Sequence, residues 1–258
     1  MKGGYKKGVV LLIAASLVFI ACKDKNKNQK QEKMEMAKEA VQAPMKEVQG
    51  EWTILFDGNS FDGWHEYAKE GVSENWKLED GAMVFYPPED RKKGDIHDIV
   101  TDEEFTDFEL SLEWKISEAG NSGFFWGIKE VASVKKPYHT GPEIQVLDND
   151  KHPDGKNGTS HQAGALYDMV SPSKDVTMPV GEWNTMVIRV DHKTNTGNVH
   201  LNGTKITEFP VSNAEWDTMV SRSKFADWEH FGKYATGKIG LQDHGDIVAY
   251  KNIKIREL

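Results

Sequence analysis

One stretch limits the fold more than any other. From residue 105 to 116 apolar and polar residues alternate: Phe108, Leu110, Leu112, Trp114 and Ile116 fall on one side, Glu109, Ser111, Glu113 and Lys115 on the other. Successive side chains of an extended strand point to opposite faces, so this run predicts a strand with one face in a core and one in water. A helix would scatter the same five apolar residues around its circumference. Sheets of this kind pair face to face, which is the arrangement of antiparallel sandwiches.

The rest of the chain repeats the pattern in shorter pieces. Strands are predicted over residues 52–56, 82–86, 124–128, 183–191, 198–201, 205–209, 237–242 and 247–256. Turn signals separate them: Asp57-Gly58-Asn59-Ser60, Glu79-Asp80-Gly81, Gly120-Asn121-Ser122-Gly123, Asn202-Gly203 and Asp243-His244-Gly245-Asp246. Ser212 with Glu215 resembles a capping box, and Trp216, Met219, Val220 and Ser223 recur at helical spacing, predicting one helix over 213–225. Many short strands, Gly-rich turns and a single short helix make an all-β, jelly-roll β-sandwich the expected architecture.

That domain begins near residue 51. Lys2, Lys6 and Lys7 precede an apolar run over 9–20, then Ala21 and Cys22, the only cysteine. The run is too short to span a bilayer and has the flanks of a signal peptide. A lone cysteine after a small residue resembles a bacterial lipobox, so residues 1–22 are read as a lipoprotein signal with Cys22 as the lipid attachment site. A plain secretory signal is the alternative. Residues 23–50, rich in Lys, Glu, Gln and Asn and free of aromatics, read as a disordered tether. The expected location is the bacterial cell envelope, lipid-anchored, in the periplasm or on the outer membrane.

Charge divides the chain at the same place. Residues 1–50 carry ten lysines and five acids, a net +5, which leaves −14 for residues 51–258 out of the chain's −9. So acidic a domain argues against a nucleic-acid partner, whose phosphates attract Lys and Arg. It is compatible with a neutral carbohydrate.

The chemistry centres on Glu143-Ile144-Gln145-Val146-Leu147-Asp148. Strand alternation sends Ile144 and Val146 to a core and places Glu143 and Gln145 side by side on an open, wet face. A carboxylate beside an amide can move protons and orient a polar ligand; a merely solvated strand is the plain alternative. Two other segments offer metal-ligand types. Asp95, His97 and Asp98 lie in a charged loop and read as ordinary surface. Residues 148–158, with Asp148, Asn149, Asp150 and Asp154, could cage a calcium ion or simply form a loop.

Leu55-Phe56-Asp57-Gly58-Asn59-Ser60-Phe61-Asp62-Gly63-Trp64 resembles the opening signature of the 3-keto-disaccharide hydrolase family. Further matches follow in order: Phe108-Glu109-Leu110 with Glu113-Trp114, Gly120-Asn121-Ser122-Gly123, the Glu143–Asp148 segment, Gly164-Ala165-Leu166-Tyr167, Gly181-Glu182-Trp183-Asn184, and Gly240-Leu241-Gln242-Asp243-His244-Gly245. One feature departs: many members carry an Arg shortly after the Asn-Ser-Gly turn, where this chain has Phe125-Trp126-Gly127. The resemblance implies a concanavalin A-like lectin/glucanase fold and cleavage of 3-keto-glycosides.

A ketone at C3 acidifies the C2 hydrogen. A base removes it, the enolate is stabilised, the group at C1 leaves, and water then adds. On this basis Glu143 and His244 are the expected catalytic residues. Asn121, Gln145, Tyr167, Gln242 and Asp243 are expected to bind substrate, with Asp243 either orienting His244 or ligating a divalent metal, and Trp126 stacking on a sugar ring. The chain has no dinucleotide-binding glycine fingerprint, so another protein must make the ketone. Two alternatives stand. A retaining glucanase would use Glu143 and Asp148 as paired carboxyls about 5–5.5 Å apart. A non-catalytic sugar-binding lipoprotein would use the same face without turnover.

Overall fold

The computed structural model describes residues 50–258. The expected signal peptide, Cys22 and all of the expected tether except Gly50 lie outside the described residues. In chain order the strands are β1 (Thr53–Ile54), β2 (Trp64–Glu66), β3 (Trp76–Glu79), β4 (Ala82–Phe85), β5 (Ile99–Phe105), β6 (Phe108–Ile116), β7 (Asn121–Ile128) and β8 (Glu143–Leu147). They continue with β9 (Asn184–Asp191), β10 (Thr196–Leu201), β11 (Thr204–Phe209), β12 (Gly237–Leu241) and β13 (Val248–Glu257), and helix α1 (Asn213–Val220) precedes β12.

Two antiparallel sheets face each other. The larger runs β11-β10-β9-β6-β13-β4-β3, with β1 paired to β13; the smaller runs β2-β5-β12-β7-β8. The alternating run becomes β6, at the centre of the larger sheet, with Leu112 opposite Met186 and Trp114 opposite Asn184 on β9. Its five apolar side chains are all buried in the layer between the sheets, against Phe124, Ile144, Val146, Ile239 and Leu241 of the smaller sheet. Each such side chain contributes about 1.5–3 kcal/mol before the opposing chain entropy. The Asp80-Gly81 and Asn202-Gly203 turns take left-handed backbone at both residues (φ 50° and 74°, 49° and 77°), as two-residue hairpins require.

Three expectations change. The run from 105 to 116 is two strands: Phe105 ends β5 in the smaller sheet, and Thr106-Asp107 carries the chain across to β6 in the larger. β5 is a strand to which the sequence pattern assigns no element, because Thr101-Asp102-Glu103-Glu104 interrupts the alternation. The helix is shorter than 213–225 and has no capping box. Ser212 Oγ donates instead to Asn195 Oδ1 at 3.0 Å, and Glu215 accepts from Asn195 Nδ2 at 2.9 Å.

Candidate active site

The smaller sheet has a second face, turned away from the core, and strand parity decides what stands on it. On β7 the even residues Ser122, Phe124 and Trp126 point into the core, leaving Asn121, Gly123 and Phe125 on the outer face. On β8 the outer residues are Glu143 and Gln145. Gly123 lies opposite Gln145, and a Cβ there would collide with the Glu143 carboxyl. The glycine therefore gives Glu143 the room to lie flat along the sheet.

This face is not wet. The segment after α1 folds over it and brings Lys224, Phe225, Trp228 and Phe231 to the opposite wall, with Tyr138 beside them. Phe225 and Phe231 stack at 4.0 Å between ring centroids, and Gly232 N ties the segment to Thr140 O at 2.8 Å. A cavity of about 360 Å³ remains between sheet and cover. Glu143 is 9% exposed and Gln145 1%, so the expected open strand face is a buried pocket floor.

Seven of the eight residues expected to catalyse or bind substrate meet in this cavity: Asn121, Glu143, Gln145, Tyr167, Gln242, Asp243 and His244. Trp126 does not. Its indole is 3% exposed and stacks on Phe209 at 5.8 Å inside the core. The aromatic surface toward the cavity is Trp228 with Tyr138 and Phe225 instead. Parity could have revealed this, since Asn121 and Trp126 are five residues apart on one strand and must face opposite ways.

Burial controls the acids. Desolvation pushes the Glu143 carboxyl up to about 8, opposed by the nearby Lys224 ammonium and reinforced by Asp98 and Asp154. Asp98, read from sequence as surface, is buried in the cavity wall. Desolvation and the neighbouring Asp243 raise its carboxyl well above the usual range. Asp98 Oδ1 accepts from Asp243 N at 2.9 Å. Asp243 does not orient His244: its two oxygens receive Arg91 Nη2 and the His97 backbone N–H. His244 sits on the turn at φ 24°, 3.3 Å from Asn121 Nδ2 through its Nε2. Tyr167 donates to Asp154 Oδ2 at 2.8 Å, so its proton is committed within the protein and its pKa is driven up.

Three side-chain oxygens in the cavity, Asn121 Oδ1, Gln145 Oε1 and Gln242 Oε1, are buried and have no partner among the described residues. Burying unpaired polar atoms is costly, and whichever way each amide is turned, a hydroxyl can both donate to and accept from it. A polyhydroxylated ring matches three such amides and an aromatic wall.

His152, His244 and Asp246 each offer a ligand atom, all within 4.8 Å of one another. Two imidazoles and a carboxylate suit a divalent transition metal. However, His152 Nδ1 accepts Asp154 N–H at 3.1 Å, which leaves the ring proton on Nε2, the nitrogen a metal would need. In the 148–158 loop Asp148 and Asp154 accept hydrogen bonds from the protein. Asp148 accepts from the backbone N–H of Ala119, Asp150 and Lys151, and Asp154 from Asn157, His161 and Tyr167.

The chain is a β-sandwich with an acid-bearing cavity on one sheet, an arrangement that suits a glycoside hydrolase. The profile of the 3-keto-alpha-glucoside-1,2-lyase-like domain matches residues 51–256, and the chain belongs to that family. It is 36% identical over 230 residues to a 3-keto-disaccharide hydrolase of Bacteroides thetaiotaomicron, covering 80% of this chain and 78% of that one. A putative glycosyl hydrolase from Parabacteroides distasonis, solved by crystallography, is 33% identical with a TM-score of 0.72 over 80% of this chain and 94% of its own. A second from the same organism is 28% identical with a TM-score of 0.61, over 81% and 100%. The solved BuGH16Bwt, 9% identical with a TM-score of 0.51 over 81% and 93%, shares the sandwich fold.

Proposed function

We propose that the protein cleaves 3-keto-glycosides by elimination followed by hydration, with Glu143 as the base. One observation carries this reading: a buried carboxyl with a pKa of about 8 lies at a cavity lined by amides whose oxygens have no partner among the described residues and by an aromatic wall. A general base works best when its pKa lies near the working pH, and desolvation brings Glu143 there. Glu143 takes the C2 proton, the C1–O bond breaks with its electron pair on the leaving oxygen, and an acid protonates that oxygen. Asp98, kept protonated by burial and the neighbouring Asp243, is the candidate acid, with His244 beside the cavity as a second group for proton transfer. Water then adds at C1 and C2 is reprotonated. The amides of Asn121, Gln145 and Gln242 hold the sugar hydroxyls, and Trp228 packs on the ring.

The glucanase reading loses its second carboxyl. Asp148 is buried beneath its own loop, bonded to three backbone N–H groups, and stands off the cavity. The protein is incubated with a 3-keto-glucoside and with the parent glucoside, and aglycone release is followed. Release from the keto-sugar alone, lost in Glu143→Gln, supports the proposal; a keto-sugar bound and recovered intact makes the protein a sugar-binding one. We also propose that a lipid on Cys22 tethers the domain to the cell envelope. Radiolabelled palmitate should be incorporated and should disappear in Cys22→Ser; equal labelling of both would exclude it.

A further inference from the structure

We infer that Arg91 is a catalytic residue whose guanidinium receives the substrate's C3 oxygen and holds the negative charge that develops there. This rests on the elimination reading above. Arg91 lies in the loop before β5 and lines the cavity. Its Nη2 donates to Asp243 Oδ1 and to Asp95 O at 3.2 Å. Its Cζ stands 6.0 Å from the Phe85 ring centroid. Gly245, at φ 98°, lets the turn press against it: a Cβ there would lie 3.3 Å from Arg91 Nε. The fork is therefore fixed on three sides.

One donor of the fork is left over. Arg91 Nη1 is buried and has no partner among the described residues. An unpaired donor of a buried cation costs more than a neutral one, and its best partner is an oxygen that carries charge. The other two cations of the cavity lean on aromatic rings: Lys224 Nζ is 3.9 Å from the Tyr167 centroid and Lys136 Nζ 5.3 Å from that of Tyr138. Arg91 is the cation held by hydrogen bonds to Asp243 and Asp95 that keeps a buried donor without a partner among the described residues.

The chemistry offers one matching atom. As Glu143 takes the C2 proton, the C2–H electron pair becomes a C2=C3 bond and the carbonyl π pair moves onto the C3 oxygen. When C3=O reforms, the C1=C2 bond forms and the C1–O pair departs with the leaving group. Arg91 makes no covalent bond and keeps its protons throughout, as a guanidinium in a protein does. Its contact strengthens as the ketone becomes an enolate, so it lowers the barrier instead of simply tightening substrate.

The test is steady-state kinetics of full-length Arg91→Lys and Arg91→Ala on a 3-keto-glucoside, with and without guanidinium ion. A lost oxyanion donor lowers kcat by about 10²–10³-fold, so that fall is expected in both, with KM within about threefold. Guanidinium should restore part of the Arg91→Ala rate saturably. Arg91→Lys keeps the charge beside Asp243, which protects the fold if Arg91→Ala unfolds. A raised KM with unchanged kcat, or an Arg91→Lys as active as wild type, overturns the inference alone. A wild type that releases no aglycone overturns the elimination reading along with it.

Discussion

Replacing Glu143 by Gln should separate chemistry from stability, because the same burial that makes Glu143 a useful base makes its charge expensive. The carboxyl has its ordinary pKa of 4.5 in the unfolded chain and about 8 in the fold. A raised folded pKa contributes stability that is complete below the unfolded value and lost as pH rises through the folded one. Each unit is worth 1.36 kcal/mol, so wild type loses on the order of 5 kcal/mol between pH 4.5 and pH 8 that an uncharged glutamine does not lose. For a domain of this size that is a melting-temperature difference of about 10–20 °C. Differential scanning calorimetry at pH 5 and pH 9 should find the two proteins close at pH 5 and Glu143→Gln well above wild type at pH 9. Turnover of the keto-sugar should be absent in the variant at both. A melting difference that stays constant with pH would refute the buried-carboxyl argument.

Other expectations follow from particular contacts. Gly123→Ala places a methyl against the Glu143 carboxyl, so turnover should fall at least tenfold, with about 1–3 kcal/mol lost to overpacking in denaturant unfolding. Trp126→Ala should lower stability by about 3–5 kcal/mol and leave KM of the folded fraction unchanged, whereas Trp228→Ala should raise KM. Lys224→Met removes the charge that opposes desolvation of Glu143, so the acidic limb of the kcat/KM profile should move to higher pH; a stationary limb would remove Lys224 from the site.

The sandwich was legible because one face of each central strand is apolar and its turns use Asp-Gly and Asn-Gly, features read within ten residues. The floor of the site was legible for the same reason: Glu143 and Gln145 share a parity, and Asn121 and Gln242 sit at neighbouring turns. What covers that floor was not. Lys224, Phe225, Trp228 and Phe231 arrive from some eighty residues downstream, and no local pattern announces that a segment will fold back over a sheet. That closure turns a wet strand face into a desolvated cavity, and it drives up both carboxyls. Asp98 and Arg91 were missed for a related reason: in a loop of mixed charge, only the tertiary fold decides which side chains turn inward.

The most direct test of the proposed chemistry is to run the reaction on a 3-keto-glucoside in D2O and determine the isotope at C2 of the released sugar. Elimination and hydration remove the C2 hydrogen and return a solvent proton, so one deuterium at C2 is predicted, beyond the exchange of substrate in buffer alone. A product that keeps its original C2 hydrogen would mean that the glycosidic bond breaks directly, and would contradict the role assigned to Glu143.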